Sequence, residues 1–317
     1  MADLVTFGET MLRLSPPDDV PIELAESFDV HAGGAESNVA VAAQRLGLET
    51  VWLSKLPETP PGRRAVADLR RHGVTPAVVW SDSGRQGLYY LETGDTPRET
   101  SVVYDREHAA VCSATPAELP TDYVEDARVF LTTGITPALS ERLAETTKRL
   151  LALASDAGTT TWFDLNYRSQ LWSPAEARET VTDLTGHVDG LVVAKRDVET
   201  VFERTGPVEE VATALAGEHE FETVVVTRSA EGALAVHDGE VFEQSAYPAG
   251  DSHPVGSGDA FVGGLLARRL QGGSVSAALA YGAATAALKR AIPGDVAAVT
   301  PADVERVLEG PESGISR

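Results

Sequence analysis

Short apolar runs alternate with amphipathic segments through the middle of the sequence. The apolar runs predict buried strands at 129–131, 160–163, 191–193 and 223–227. Between them, apolar positions at helical spacing predict helices at 137–157, 174–185 and 208–215. Because strands and helices that alternate in this way form βαβ units, the pattern predicts an α/β fold with a mostly parallel sheet covered by helices on both faces.

Similar patterns extend toward both ends of the chain. Further strands are predicted at 4–8, 51–53, 88–91 and 101–104, the last two joined by a turn at 93–97. Further helices are predicted at 38–46 and 62–72, and the sequence after 256 is mostly typical of helices. Because no repeat or long linker divides the sequence, we predict a single α/β domain over residues 1–317.

The composition is strongly acidic. The 317 residues carry 48 acidic and 26 basic side chains, which gives a formal net charge of -22, and only four of the basic residues are lysine. This charge argues against nucleic acid and anionic membranes as partners, because like charges repel. An acidic surface with few lysines indicates a protein that stays soluble at high salt, where screening weakens the repulsion between its own charges.

We therefore predict that the protein is halophilic. In molar salt the Debye length falls to about 3 Å, so the folded state should be relieved of most of its self-repulsion. Thermal unfolding and turnover, measured from dilute buffer to molar KCl, check this prediction. Sucrose is a useful control because it stabilises folded proteins without screening charge. A maximum of stability and activity in dilute buffer would contradict the prediction.

Cysteine content and the N-terminal sequence bear on where the protein works. Cys112 is the one cysteine, so no disulfide can form within the chain. The first residues have neither the basic start nor the apolar stretch of a signal peptide. The alanine-rich run at 277–288 is far shorter than the roughly 20 residues that a membrane span needs. We therefore expect a cytoplasmic protein with no membrane partner.

The stretch 256–264, Gly-Ser-Gly-Asp-Ala-Phe-Val-Gly-Gly, combines a glycine-rich turn with the start of an apolar helix. Such a turn lets the backbone approach a ligand, and the unpaired N–H groups of a helix start bind anions such as phosphate. Asp259 stands where a carboxylate could accept a proton from a substrate hydroxyl. Taken alone, the stretch equally indicates a turn capped by an aspartate.

Two other phosphate-binding motifs are missing from the sequence. A lysine-bearing phosphate loop is excluded because no lysine is followed by Ser or Thr. The dinucleotide-binding fingerprint also fails, because Phe261 stands where its third glycine is needed. Phosphoryl transfer, if it occurs, would therefore use the loop at 256–259.

The stretch 256–264 resembles the C-terminal signature of the PfkB-type (ribokinase-like) carbohydrate kinases. The N-terminal signature of that family, Gly-Gly-x-x-x-Asn-x-Ala followed by Leu-Gly, is matched from Gly33 to Ala40 and at Leu46-Gly47. The two motifs stand in the family's order, and the resemblance covers nearly the whole chain. It implies a ribokinase-like three-layer fold, ATP and Mg²⁺ as cofactors, and a small β lid formed by about 11–31 and 84–110. Family members often form homo-oligomers through this lid.

The resemblance also implies roles for single residues. Asp259 would be the catalytic base, and the backbone N–H groups of Gly256, Ser257 and Gly258 would stabilise the developing charge. Arg168, in Asp164-x-Asn166-x-Arg168, would face the acceptor and the phosphates. The sequence 227–232 is similar to the family's nucleotide loop, with Ser229 in place of a glycine. The residues that would contact ATP are Asn166, Lys195, Thr227, Gly232, Gly256 and Gly258.

Four features are similar to the 2-keto-3-deoxygluconate kinases of this family. They are Gly34, Tyr89, the Tyr-x-Arg pair of Tyr104 and Arg106, and Asp295 after a glycine. Arg106 would bind a substrate carboxylate, for which a guanidinium fork is suited, and Asp295 would accept hydrogen bonds from substrate hydroxyls. Arg168 and Asp259 would complete the sugar site. The resemblance thus implies ATP-dependent phosphorylation of 2-keto-3-deoxygluconate, or of its galactonate epimer, at the terminal hydroxyl to the 6-phosphate.

Departures from the family pattern keep alternatives open. His253 and Pro254 replace a usual Asp-Thr pair, and Ala-Lys-Arg-Asp at 194–197 replaces an Asn-x-x-Glu motif linked to Mg²⁺, so we assign no metal ligand. A kinase of a neutral sugar such as fructose or ribose, a non-catalytic sugar- or nucleotide-binding homologue, and a dehydrogenase remain alternative functions. Strand packing for the two tyrosines, a turn residue at Asp295 and a surface charge at Lys195 remain alternative interpretations.

Overall fold

The structure is a computed structural model that describes residues 1–17, 20–94, 98–250 and 252–310. The strands in these ranges are β1 Leu4–Phe7, β2 Met11–Ser15, β3 Asp29–Gly33, β4 Thr50–Pro57, β5 Thr75–Ser81, β6 Leu88–Glu92, β7 Ser101–Asp105, β8 Val129–Thr133, β9 Thr160–Asp164, β10 Gly190–Ala194, β11 Thr223–Thr227, β12 Ala233–His237 and β13 Glu240–Gln244. The α-helices are α1 Ala35–Arg45, α2 Pro60–Arg71, α3 Asp122–Glu125, α4 Ile135–Ala138, α5 Glu141–Ala157, α6 Pro174–Leu184, α7 Lys195–Val201, α8 Val208–His219, α9 Ser257–Leu270, α10 Val275–Lys289 and α11 Pro301–Glu309. Short 3₁₀ turns lie at Ile22–Leu24, Ala110–Ser113, Thr185–His187 and Ser229–Glu231.

A large sheet forms the centre of the fold. Within the described ranges it has nine strands in the order β13-β12-β11-β10-β9-β8-β1-β4-β5. Neighbouring strands from β11 to β5 are parallel. At the other edge, β12 pairs antiparallel with both β11 and β13. The mostly parallel sheet predicted from the strand–helix alternation is therefore confirmed.

Helices cover both faces of this sheet. Successive side chains of a strand point to opposite faces, so neighbours such as Trp162 and Phe163 of β9 enter different hydrophobic clusters. Trp162 packs in the cluster that contains α1, α9 and α10, and Phe163 packs in the cluster that contains α5 and α6. Leu4 and Val5 of β1 divide in the same way. Because both faces are covered, these strands have continuous apolar sequences, and the predicted three-layer fold is confirmed.

Four further strands form a second, smaller sheet in the order β3-β2-β6-β7. Strand β2 pairs antiparallel with β3 and parallel with β6, and β6 pairs antiparallel with β7. These strands lie within the segments 11–31 and 84–110 from which the lid was predicted, except that β3 extends two residues beyond the first segment. That this sheet acts as a lid stays a prediction. Residues 18–19 of the first segment and 95–97 of the predicted turn lie outside the described residues.

The structure differs from the predicted elements in several places, and β5 and α3 are among the elements that were not predicted. The helix predicted at 137–157 is two helices, because Ser140 has extended backbone angles and its hydroxyl accepts a hydrogen bond from the N–H of Leu143 at 3.1 Å, which begins α5. Helix α7 was not predicted. The hairpin β12–β13 was also missed, because side chains such as Glu240 and Glu243 break the apolar pattern of an edge strand.

The alanine-rich segment near the C-terminus is a buried helix. Ala278, Leu279 and Ala284 of α10 belong to the same hydrophobic cluster as the apolar side of α9. Small side chains let these two helices approach closely, which holds the start of α9 in place. Across the described ranges, no helix is both long and apolar enough to cross a bilayer.

Candidate active site

Several residues predicted to bind substrates follow the carboxyl ends of neighbouring parallel strands. Asp164 ends β9, Lys195 directly follows β10, and Thr227 ends β11. In the sheet, Val192 of β10 lies opposite Asp164, and Ala194 lies opposite Thr227. Open α/β sheets bind ligands at this edge, so these residues occupy a suitable location.

The glycine-rich turn opens α9 as the sequence predicted. Gly256 has φ 81° and caps the helix, and Ser257 is its first residue. A Cβ on Gly256 would lie 1.9 Å from the carbonyl oxygen of Asp295, so a side chain here would clash with that loop as well as strain the backbone. A Cβ on Gly258 would meet no atom within 4 Å, so the first turn of α9 is open on that side.

Asp259 connects the two signature motifs. The side-chain amide of Asn38, in α1, donates a hydrogen bond to Asp259 Oδ2 at 2.7 Å. The two residues are 221 positions apart in the sequence. The hydrogen bond leaves the other carboxylate oxygen of Asp259 available to a ligand, and it holds the carboxylate in one orientation at the start of α9.

The charges around Asp259 act in opposite directions. Burial is the largest influence and raises the pKa of its carboxyl group, while the Asn38 hydrogen bond and the positive charges of Arg168 and Lys289 lower it. Asp295 raises it further. A carboxylate with a raised pKa is a stronger base than an exposed one, which suits proton abstraction near neutral pH.

Asp164 is a second buried carboxyl group near Asp259. Its Oδ1 accepts a hydrogen bond from the backbone N–H of Asn166 at 3.2 Å. Burial, followed by the negative charge of Asp259, raises the pKa of Asp164 to about 8, against the opposing effect of Arg168. Asp164 is therefore mostly protonated at pH 7, and in that state it places no second negative charge beside Asp259.

We expect Asp164→Asn to flatten the dependence of stability on pH. Because the folded-state pKa of about 8 lies above the ordinary aspartate value of 3.8, the contribution of this carboxyl group to stability is fully present below pH 3.8 and is lost as the pH rises through about 8. Above pH 8 the variant should be more stable than the wild type by roughly 1–3 kcal/mol, because no buried carboxylate must ionise. Chemical denaturation of the ligand-free protein from pH 5 to 9 measures this. Asp183→Asn, on the exposed face of α6, is the control, and an identical pH dependence in all three proteins would contradict the expectation.

Asp295 is held by two side chains of the small sheet. The Tyr89 hydroxyl donates a hydrogen bond to Asp295 Oδ1 at 2.5 Å, and Arg13 Nη1 lies 3.3 Å from Oδ2. Both Arg13 and Asp295 are buried, and Oδ2 has no hydrogen bond among the described residues. Asp295 can therefore accept a hydrogen bond from a ligand hydroxyl. Arg13 was not identified from the sequence, because a single arginine in a strand carries no distinguishing pattern.

Arg106 has a partner that the sequence did not reveal. Its guanidinium forms a buried ion pair with Glu9, and it also lies 5.5 Å from the centre of the Tyr104 ring. The Tyr104 and Tyr89 rings are 5.9 Å apart, so the predicted sugar-binding residues are neighbours. Arg106 Nε and Glu9 Oε1 are buried without a partner among the described residues. The pair thus has both donor and acceptor capacity left for a ligand.

Glu9 could have been noticed in the sequence. It lies two residues after β1, at the carboxyl end of a buried strand, where α/β sheets place functional residues. Burial raises the pKa of Glu9, and the charge of Arg106 lowers it. Loss of Arg106 would therefore raise the pKa of Glu9 further.

The single cysteine lies close to this ion pair. Cys112 is half-buried in the 3₁₀ turn Ala110–Ser113, which follows β7. Burial is the largest influence that raises the pKa of its thiol, followed by the charge of Glu9, while Arg106 lowers it. The thiol is therefore protonated at neutral pH and reacts slowly.

The protein's own backbone lies against Gly34. Its φ of -170° is extended backbone that any residue adopts. A Cβ at this position would lie 2.0 Å from the backbone carbonyl oxygen of Glu9, so the close approach of the protein's own chain requires glycine. A direct contact of Gly34 with a sugar hydroxyl stays a prediction.

Among the described residues, no hydrogen bond or ion pair joins one predicted nucleotide-binding residue to another. Asn166 has φ 38° and its side-chain amide lies 3.5 Å from Asp164 Oδ2. Gly232 has φ 99° and its backbone oxygen accepts a hydrogen bond from the N–H of Arg228 at 2.7 Å, which closes the turn between β11 and β12. Lys195 begins α7, and its ammonium forms no ion pair with the described residues. In the part of the chain that is described, no cluster of three or more His, Cys, Asp or Glu side chains could hold a metal ion.

Comparison with known proteins assigns the chain to a family. The family described as pfkB family carbohydrate kinase matches residues 1–301. The chain belongs to the PfkB family of carbohydrate kinases. This confirms the family predicted from the two signatures, and it confirms that the protein is a sugar kinase.

Individual PfkB kinases resemble the chain over its full length. A 2-dehydro-3-deoxygalactonokinase from Haloferax volcanii is 58% identical over 316 residues, which cover 100% of this chain and 99% of that protein. This source fits the high-salt habitat predicted from the acidic composition.

Solved structures of PfkB kinases share the fold. The crystal structure of 2-dehydro-3-deoxygluconokinase from Thermotoga maritima is 32% identical, with a TM-score of 0.91 over 98% of this chain and 100% of that one. A putative ribokinase II from E. coli in complex with ATP and Mg²⁺ has a TM-score of 0.88 over 98% and 99% of the two chains. At 20% identity, the latter likeness supports the ribokinase-like fold alone.

Proposed function

We propose that this PfkB kinase transfers the γ-phosphoryl group of ATP to the terminal hydroxyl of a 2-keto-3-deoxy sugar acid, giving the 6-phosphate. The observation that carries the proposal is the position of Asp259 at the open first turn of α9, hydrogen-bonded to Asn38. The similarity to kinases named for the galactonate and gluconate acids supports the substrate class.

In the proposed reaction Asp259 acts as the general base. It accepts the proton of the terminal hydroxyl as that oxygen forms a bond to the γ-phosphorus and the bond between this phosphorus and the bridging oxygen of ADP breaks. The N–H groups of Gly256, Ser257 and Gly258 stabilise the negative charge on the transferred group, as helix N-termini do for phosphate. Arg168, whose charge acts on both Asp164 and Asp259, binds the phosphates.

The nucleotide lies along the carboxyl ends of β9, β10 and β11 in this proposal. Adjacent strands are about 4.8 Å apart, so Asp164 and Thr227 are separated by roughly 10 Å, a distance that a triphosphate chain can span. Lys195 and Asn166 contact the phosphates, and Thr227 and Gly232 contact the nucleoside. Mg²⁺ bound to ATP would neutralise phosphate charge.

The sugar acid binds between the small sheet and α9. Asp295, oriented by Tyr89 and Arg13, accepts hydrogen bonds from its hydroxyls. The carboxylate of the sugar acid accepts a hydrogen bond from Arg106 Nε, which has no partner among the described residues. Closing of the small sheet as a lid over the site excludes water and limits hydrolysis of ATP.

The configuration of the acid is a finer part of the proposal. The sequence motifs pointed to the gluconate form, with the galactonate epimer as a second substrate. The relative that is 58% identical is named for the galactonate form. We therefore propose that the galactonate-derived acid is phosphorylated at least as well as its epimer.

One observation favours a second candidate, a kinase of neutral sugars. Arg106 is already neutralised by Glu9, so the site does not need a substrate carboxylate to balance its charge. A neutral sugar would leave this ion pair intact, and it would use Asp295 and Asp259 in the same way.

A coupled assay of ADP release with Mg-ATP, at low and high salt, tests the proposal. The acceptors are the two 2-keto-3-deoxy acids, fructose and ribose. Turnover on the keto-deoxy acids alone supports the proposal, and phosphorus NMR of the product shows whether the terminal hydroxyl is modified. Turnover on fructose or ribose alone would establish the neutral-sugar candidate instead. ADP release that does not depend on any sugar would contradict both.

A further inference from the structure

Lys289 is a fully buried lysine that the proposed reaction does not use. It is the last residue of α10, and its side chain has 0% exposure. Its ammonium donates hydrogen bonds to the backbone oxygens of His253, at 3.3 Å, and Ile292, at 3.0 Å. A buried ammonium is costly unless it is hydrogen-bonded or paired. The two backbone oxygens therefore form a specific binding site for the ammonium of Lys289.

The two carbonyl groups belong to the two loops that form the candidate active site. His253 precedes the turn that opens α9 and carries Asp259, and Ile292 precedes Asp295. The loops meet at two further points. The N–H of His253 donates to the oxygen of Arg290 at 3.1 Å, and Gly256 packs directly on the backbone of Asp295. Lys289 thus lies at the junction of the loop before α9 and the loop after α10.

The charge of Lys289 acts on both active-site carboxylates. Burial lowers the pKa of its ammonium to about 8, while Asp295 and Asp259 oppose that shift and Arg13 of the small sheet adds to it. In return, Lys289 lowers the pKa of Asp259. Replacing Lys289 with an apolar side chain would leave the backbone oxygens of His253 and Ile292 without their donor, so the ammonium also contributes to stability.

We propose that Lys289 is a positioning residue for phosphoryl transfer, whose buried ammonium joins the loop before α9 to the loop after α10. We call this link between the two loops the Lys289 clamp. It fixes the distance between the base Asp259 and the sugar-binding Asp295. It also keeps the N–H groups of 256–258 directed at the transferred group. Only the catalytic part of this inference rests on the proposed function. The junction of the two loops exists whichever sugar the enzyme binds.

Lys289→Met tests the clamp, because methionine keeps most of the length and removes the charge and the donors. We expect kcat to fall roughly 10- to 100-fold, as small misplacements of reacting groups do, with the KM for ATP changed less than threefold. The acidic limb of the kcat/KM profile should move to higher pH, since Asp259 loses a stabilising positive charge. The melting temperature should fall, because two buried backbone oxygens lose their donor, so the kinetics are measured well below the melting temperature of the variant. An unchanged kcat and pH profile would overturn the proposal.

Chemical rescue separates positioning from simple packing. Lys289→Ala leaves a space that n-propylammonium fills, and 1-propanol is its uncharged counterpart. At constant ionic strength, the amine should restore kcat at least tenfold and the alcohol should not. Equal effects of the two compounds, or loss of activity that parallels loss of stability, would show a structural role instead.

Hydrogen exchange tests the same clamp without any substrate. In Lys289→Met the amides of 253–258 should exchange faster than in the wild type, while those of β9 and β10 should not change. If the wild-type enzyme phosphorylates no keto-deoxy acid but these amides still respond, the proposed function fails and the clamp stands. Unchanged exchange at 253–258 overturns the clamp whatever the substrate.

Discussion

Asp259→Asn should lower kcat by roughly 10²- to 10⁴-fold, because proton transfer to a positioned base contributes about that factor. The KM for the sugar should change little, since asparagine keeps the shape of the side chain and its oxygen can still accept the hydrogen bond from Asn38. Steady-state kinetics at saturating ATP measure both constants. Turnover close to that of the wild type would remove Asp259 from the role of base.

The pH profile provides a second test of Asp259 as the base. Because burial raises the pKa of Asp259, kcat/KM of the wild type should rise with pH through that pKa as the base ionises. The variant should lack this limb. Asp122→Asn, in the exposed first turn of α3, removes the same charge far from the site and should preserve both rate and profile. Melting temperatures of all three proteins verify that the fold is intact.

The ion pair between Arg106 and Glu9 is the second place where a large effect is expected. Removing Arg106 alone would leave Glu9 as a buried carboxylate without its cation, so loss of activity could then reflect loss of structure. The double variant Glu9→Gln/Arg106→Gln removes both charges and keeps most of the packing. For a sugar acid, kcat/KM should fall roughly 10²- to 10³-fold, which is the cost of losing a charged hydrogen-bonded partner in a buried site.

A substrate without a carboxylate provides the comparison. The double variant should lose less than tenfold in kcat/KM toward a neutral analogue of the same chain length, so the ratio between the two substrates is the measured quantity. The neighbouring exposed pair Arg85–Asp105, at 2.5 Å, offers a matched control in Arg85→Gln/Asp105→Asn. Equal losses on both substrates would mean that Arg106 does not recognise the carboxylate, and would favour the neutral-sugar kinase.

The central sheet could be predicted from the sequence because its strands are buried on both faces. A strand such as β10, with Leu191, Val192 and Val193 in sequence, is apolar throughout, although the short helix α7 that follows it was not predicted. Strand β13 forms the sheet edge and its side chains are exposed or half-buried, so its apolar pattern is weaker than that of its buried partner β12. The break at Ser140 depends on one serine cap within an otherwise continuous helical pattern.

The candidate site could be predicted only where local sequence carries the chemistry. The turn at 256–259 needs its glycines and aspartate in one short segment, so the sequence pattern is specific. The partners of the site residues depend on topology instead. Arg13 meets Asp295, and Glu9 meets Arg106, only because the small sheet folds against the carboxyl edge of the large one. No local spacing encodes such contacts.

The position of Cys112 has a practical consequence. Because the chain has a single thiol, a small probe attached to it is chemically homogeneous without any engineering. The thiol lies within electrostatic reach of Glu9 and Arg106, so its rate of alkylation, or the emission of an attached dye, reports on the charge state of that pair. Titration of the labelled enzyme with a sugar acid and with a neutral sugar would thus distinguish the two ligand classes by a spectroscopic signal, independently of turnover.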